Sequence, residues 1–221
     1  MRQVNVLMPI AVKELRETVG MAAIAAIVAF CFVTVGMVGV FPWSTSFDYV
    51  LPFVTESSHL STVAFGLAIG LGLKQSAWES YTGTYLFLLH RPIERRLIMA
   101  VKIAVGLFVY GITMSIPLLV LALWAATPGT HASPFFWSMT VPAWQGLLTG
   151  ALLYLGSFLS GLGQGRWYGS RLLPLASMGG ATVLLLHFNT SWPLVSLIAL
   201  GAISGLLWLA IVLTSTEREY A

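Results

Sequence analysis

The stretch LIMAVKIAVGLFVYGITMSIPLLVLALWA, residues 97–125, carries a single charged side chain, Lys102, in an otherwise apolar run. The hydrocarbon core of a bilayer is about 30 Å thick and an α-helix rises about 1.5 Å per residue, so about 20 mostly apolar residues cross it. Residues 97–125 are long enough to do so. Five further stretches share their composition: 19–41, 60–75, 141–163, 172–188 and 193–213. None shows the alternation of a barrel strand, and lipid offers no water to satisfy exposed backbone groups, so each is predicted to be a helix. The expected fold is an all-α integral membrane protein with six transmembrane helices, forming one domain over residues 1–221. The whole-chain composition, 57% hydrophobic and 9% charged with mean hydropathy +0.87, lies outside the balance of soluble domains.

The basic residues give the expected orientation. With six spans, Arg2, Lys13, Arg16, Lys74, Arg91, Arg95, Arg96, Lys102, Arg166, Arg171 and Arg218 all fall on one side, which the positive-inside rule makes cytoplasmic, together with both termini. The opposite connections, 42–59, 126–140 and 189–192, hold no Lys or Arg, and Trp43, Trp137, Trp144 and Trp192 sit near that boundary, where amphipathic rings favour the headgroup region. The net charge of +3 is thus a topology signal, with no basic recognition helix for nucleic acid. The first apolar run lacks a small-residue cleavage site and is expected to remain as a span. Cys31 has no partner cysteine for a disulfide or metal site.

Ahead of the first span, Ile10, Ala11, Leu15 and Val19 share a face, while Lys13, Glu14, Arg16 and Glu17 form a charged surface. Residues 1–18 are expected to form an amphipathic interfacial helix, with the plain start of the first span as the alternative. Lys13, Arg16 and Lys102 are assigned to the lipid interface. Glycines four apart at Gly66 and Gly70, Gly146 and Gly150, and Gly201 and Gly205 allow close helix approach, at a dimer face or by coincidence of glycine-rich spans. Pro117 is expected to kink the third span or open its hydrogen-bond ladder.

The connection between the second and third spans is the most informative segment. It runs Glu79-Ser-Tyr-Thr-Gly-Thr-Tyr-Leu-Phe-Leu-Leu-His-Arg-Pro-Ile-Glu-Arg-Arg, then Leu-Ile-Met-Ala-Val-Lys102. A carboxylate, a Gly83-Thr84 step, an apolar helical run, a stop at Pro92 and the basic pair Arg95-Arg96 suit a short cytoplasmic helix parallel to the membrane. Its apolar side needs a partner. The arginines taken alone also fit simple positive-inside charges.

At these residues the chain resembles the permease subunits of type-2 ABC exporters. The family's pattern runs Glu, a short gap, Gly-Thr, a leucine-rich helix, Pro-Ile, Arg, an apolar turn and Lys. Glu79, Gly83-Thr84, Leu88-Leu89, Pro92-Ile93, Arg95-Arg96, Ile98 and Lys102 fall on it without a gap. One departure is Leu86, where the family often carries a second acidic residue. The resemblance implies that residues 76–96 form a coupling region whose helix docks on a separate ATP-binding cassette subunit, with Glu79, Tyr81, Gly83, Thr84, Leu88, Leu89, Pro92, Arg95 and Arg96 as the contact and coupling residues. It further implies two copies of that subunit and a second permease chain, identical or related, in the cytoplasmic membrane.

Absent motifs narrow the choice. No Gly-x-x-x-x-Gly-Lys-Ser/Thr loop occurs, and Gly161, Gly163 and Gly165 lack the following Lys, so ATP and Mg are expected on the partner and no cofactor or metal on this chain. Few ionisable residues fall within the apolar runs, as a proton-coupled carrier would need. Ser160-Gly161 lacks a nucleophile elbow, and His59, His90, His131 and His187 show no ligand spacing, so no catalytic residue is assigned. The function the resemblance implies is ATP-driven export, and the apolar, aromatic helices point to a hydrophobic or amphipathic substrate. The alternative is a non-transporting membrane anchor or assembly subunit that recruits a cytoplasmic partner.

Overall fold

The computed structural model describes residues 4–38, 52–78, 81, 94–130, 135–163, 166, 169–191 and 193–217. Every regular element among them is helical: α1 (Val4–Val38), α2 (Pro52–Leu73) running into a π-helical turn (Lys74–Trp78), α3 (Arg95–Ala126), α4 (Val141–Leu162), α5 (Leu173–Ser191) and α6 (Pro193–Glu217). Single 3-10 turns, Trp137–Thr140 and Ser170–Leu172, lead into α4 and α5.

Among the described residues four helices are long and apolar enough to cross a membrane: Leu7–Met37 within α1, Arg95–Ala126, Trp137–Leu162 and Leu194–Ser215. An α-helical membrane protein follows, but six crossings do not. The other two helices have a physical reason to fall short. α2 carries Thr55, Glu56, Ser57, Ser58 and His59 in its opening turns, so its long apolar run starts at Leu60 and reaches about 21 Å by Leu73. α5 is 19 residues long and ends on Asn189-Thr190-Ser191.

A second expectation also changes. Among the described residues no separate interfacial helix precedes the first span; from Val4 the chain runs unbroken through it, 35 residues in all, with Pro9 accommodated in its early turns. Ile10, Glu14, Thr18, Ala22, Ala29 and Val33 form one continuous buried stripe at helical spacing, so the same face packs along the whole length. The outward stripe of Met8, Val12, Leu15 and Val19 is exposed. α3 likewise continues through Pro117, which is buried in its interior.

α4 is the centre of the bundle. In its membrane-length window 78% of the residues are buried, against 17% for α1 and for α6, and it packs on α2, α5, α6 and α3. α1 lies chiefly against α3 and α2. The core joins Leu67 and Leu71 of α2, Ile103, Met114 and Leu121 of α3, Leu152 and Phe158 of α4, and Ile211 of α6.

The tightest seam lies between α2 and α4. A Cβ on Gly72 would fall 1.9 Å from Ser157 Oγ and 2.5 Å from Tyr154 O, and one on Gly161 would fall 1.9 Å from Ser76 Oγ and 2.8 Å from Ala77 N. The predicted glycine pairs divide differently. Gly70, Gly146 and Gly150 meet Met21, Ser61 and Tyr110 of the same chain, whereas Gly66, Gly201 and Gly205 have nothing within 4 Å. Small residues spaced by four do seat the helices, but through Gly72 with Ser76 and Ser157 with Gly161.

At the end of α4, Arg171 Nε donates to Ser160 O at 3.2 Å and Nη2 to Gly161 O at 3.0 Å, while Leu175 N donates to Ser160 Oγ at 3.0 Å. Ser160 O also accepts from Gly163 N at 3.2 Å; the arginine adds donors to carbonyls of the last helical turn, and its charge opposes the negative end of the helix dipole. Arg171→Met is expected to cost about 1–2 kcal/mol, read as a lower unfolding temperature of the purified chain in detergent; an unchanged midpoint would remove this cap from the account.

Candidate functional site

The chemistry of the described residues concentrates where α1, α3 and α4 surround the π-helical turn. Glu14 and Lys102 are 1% and 0% exposed, and they are the buried charged residues among the described ones. Glu14 sits in register with Ile10 and Thr18 on the packed stripe of α1, and Lys102 follows Ile98 and Met99 on the packed face of α3. Helix geometry therefore turns both charges inward, toward each other. The Lys102 ammonium lies 3.1 Å from Glu14 Oε1, an ion contact outside hydrogen-bonding alignment. The same ammonium donates to Gln75 O at 3.1 Å.

Gln75 ties the group together. Its Nε2 donates to Glu14 Oε2 and to Lys102 O, both at 3.2 Å, and its Oε1 accepts from Tyr154 Oη at 2.6 Å. One side chain on the turn after α2 thus bonds residues of α1, α3 and α4. Gly106 leaves the room: a Cβ there would lie 2.1 Å from the Tyr154 hydroxyl and 2.3 Å from Gln75 Oε1. Next to it Ser76 Oγ donates to Gly72 O at 2.6 Å, and Thr18 Oγ1 to Glu14 O at 2.8 Å. Lys13 stands 3.9 Å from Glu14 and 3.5 Å from Glu17, and Lys74 Nζ donates to Glu17 O at 2.5 Å, closing the outer rim.

Burying an ion pair costs several kcal/mol of desolvation per charge, which the mutual attraction repays only with good geometry and further hydrogen bonds. The cluster supplies those bonds. It also makes the junction directional, because ionic and hydrogen-bonded contacts hold one register where apolar packing alone tolerates sliding.

Lys102 was expected at the lipid interface; its side chain is instead fully enclosed by protein. Glu14 was expected on a charged surface and is buried for the same reason: both lie in phase with an apolar stripe. Lys13 is partly buried and Arg16 exposed. Tyr81 is 88% exposed, its ring 6.3 Å from that of Trp78, itself 62% exposed. Arg95 and Arg96 are exposed in the first turn of α3, where Glu94 occupies the cap position without a side-chain cap bond. Glu79, Gly83, Thr84, Leu86, Leu88, Leu89 and Pro92 lie outside the described residues, and with them most of the expected coupling region 76–96. Gln75 and Tyr154 were missed from sequence. A usable signal existed for the charged pair alone: an acid and a base, each in register with an apolar face.

Among the described residues no three His, Cys, Asp or Glu side chains gather as metal ligands. On the far side of the bundle, Phe32 stacks on His59 with centroids 5.4 Å apart, and Tyr110 Oη donates to Leu147 O at 2.8 Å. Compared with protein-family models, curated proteins and solved structures, the chain matches none.

Proposed function

We propose that this chain is the membrane-embedded permease subunit of an ATP-driven exporter of the type-2 ABC class, paired with a second permease chain and energised by two separate ATP-binding subunits. The observation that carries the proposal is the cluster around Gln75. The turn after which the 79–94 connection begins is bonded to α1, α3 and α4, and the next described helix after that connection is α3. A push on the connection by a cytoplasmic partner would therefore act on four helices together and not on one loop.

Two further points support it. The charged residues buried among the described ones face each other, so none is spare to carry a coupling ion along a path. The sequence has no phosphate-binding loop, so the energy source is external. In this reading α2 and α5 complete six crossings alongside the four longer helices, the basic end and both termini face the cytoplasm, and the cargo is hydrophobic or amphipathic. ATP-driven closure of the partner subunits tilts the helices so that a path between two permease chains changes the side on which it opens.

The test is isolation of the tagged full chain from its native membrane in mild detergent, with identification of stoichiometric partners and an ATPase assay of the complex. An ATP-binding subunit is expected, and it is expected to be lost when 81–89 is disrupted. Glu79→Ala or Gly83→Trp should leave ATP hydrolysis by the reconstituted complex running without transport. A complex reproducibly free of any ATPase would overturn the proposal in favour of a membrane anchor.

A further inference from the structure

A π-helical turn holds one residue more than an α-helix needs to cover the same path, and such turns are rare and short because their hydrogen bonds are poorer. In this chain side chains make up the difference. Ser76 Oγ meets Gly72 O, Lys102 Nζ meets Gln75 O, and the Gln75 amide is bonded by Glu14, Lys102 O and Tyr154. Apart from the serine, every one of these partners comes from another helix. The form of the turn thus depends on how α1, α3 and α4 are placed around it. The stretch before it has no such freedom, since Gly72 is seated against the Tyr154 and Phe158 backbone of α4 with no space for even a methyl group.

We infer that Lys74–Trp78 is a one-residue register switch, held in its π-helical form by the Glu14–Lys102–Gln75–Tyr154 contacts and free to pass to α-helical form when α1 and α3 separate. The passage advances the chain beyond it by one residue, a rotation of about 100° and a shift of about 1.5 Å along the axis. Trp78 and Tyr81, exposed at the start of the connection, travel with that rotation. Separation of α1 from α3 is thereby converted into rotation of the chain at Trp78, where it leaves α2, and the converse holds by linkage. The switch rests on the permease proposal only for what drives it; the turn itself is observed in the isolated chain.

The experiment uses the full chain with Cys31→Ser, a nitroxide on Trp78→Cys, and lipid nanodiscs, and reads label accessibility to oxygen against a water-soluble nickel chelate. Lys102→Met is expected to exchange one preference for the other, as a rotation of about 100° requires. Tyr154→Phe, which keeps the ion pair and removes one hydrogen bond, is expected to shift the label the same way by less. When Ala77 is deleted, the shortened turn is α-helical at the outset and has no second register, so Lys102→Met should leave the label in place. A label unmoved by both substitutions overturns the switch. Equal movement with and without Ala77 also overturns it, since the substitutions would then merely loosen packing. Neither arm requires ATP or a partner, so a failed search for an ATPase leaves this result readable.

Discussion

Lys102→Met is expected to destabilise the isolated chain by about 3–5 kcal/mol, because it leaves the Glu14 carboxylate, 1% exposed, without its 3.1 Å ionic partner. It also strips the Gln75 carbonyl of its donor. Glu14→Leu should cost a similar amount by stranding the ammonium. The double variant Glu14→Leu/Lys102→Met removes both charges together, and replacing a buried pair with apolar groups of similar volume is often neutral or stabilising. Most of the single-variant loss should return, with a remainder from the unmet groups of Gln75. Exchange of the two charges, Glu14→Lys/Lys102→Glu, should not rescue, since the Gln75 carbonyl and amide fit only a cation on α3 and an anion on α1. Thermal unfolding in detergent, followed by tryptophan fluorescence, measures all four. Single variants as mild as the double would show that the two charges do not depend on each other.

Gly72→Ala carries the other large expected effect. The added methyl would lie 1.9 Å from Ser157 Oγ, but also 2.5 Å from Tyr154 O and 2.9 Å from Phe158 N. A hydroxyl can rotate aside; a helix backbone cannot. Overpacking of this kind costs about 1–3 kcal/mol, and Gly72→Val should exceed that. Ser157→Gly relieves only the nearest clash and should rescue in part. Gly161→Ala should behave similarly against Ser76 and the Ala77 backbone. By contrast, Gly201→Ala and Gly205→Ala meet nothing within 4 Å and gain up to about 1 kcal/mol of helix propensity in the isolated chain. The same unfolding assay separates the two sets, and an α2–α4 seam that tolerates alanine at Gly72 would mean the helices are not in close contact there.

These effects mark where sequence reading stops. Apolar length is a local property, so the spans starting at residues 97, 141 and 193 could be read directly, each becoming a helix that starts within a few residues of its expected place, while the span starting at 19 became the later part of a helix that begins at Val4. The absence of a phosphate-binding loop was legible for the same reason. The two remaining spans, 60–75 and 172–188, are helical but not among the four membrane-length helices, because polar residues flank their apolar runs: 55–59 in the opening turns of α2 and 189–191 at the close of α5.

What packs against what is not local. Glu14 and Lys102 are 88 positions apart (102 − 14) and each, judged by its neighbours, suits a headgroup interface. Only the placement of α1 along α3 makes them a buried pair. Gln75 carries no charge, and it becomes the centre of the cluster because a π-helical turn lets its side chain reach three helices at once. The glycines make the same point: spacing by four is common to Gly72 with Ser76 and to Gly201 with Gly205, but a facing backbone stands against the first pair alone. The sequence by itself determined a helical chain with apolar runs long enough to cross a membrane. Tertiary structure decided which charges leave the lipid boundary for the interior, because burial of a charge depends on a partner that only another helix can bring.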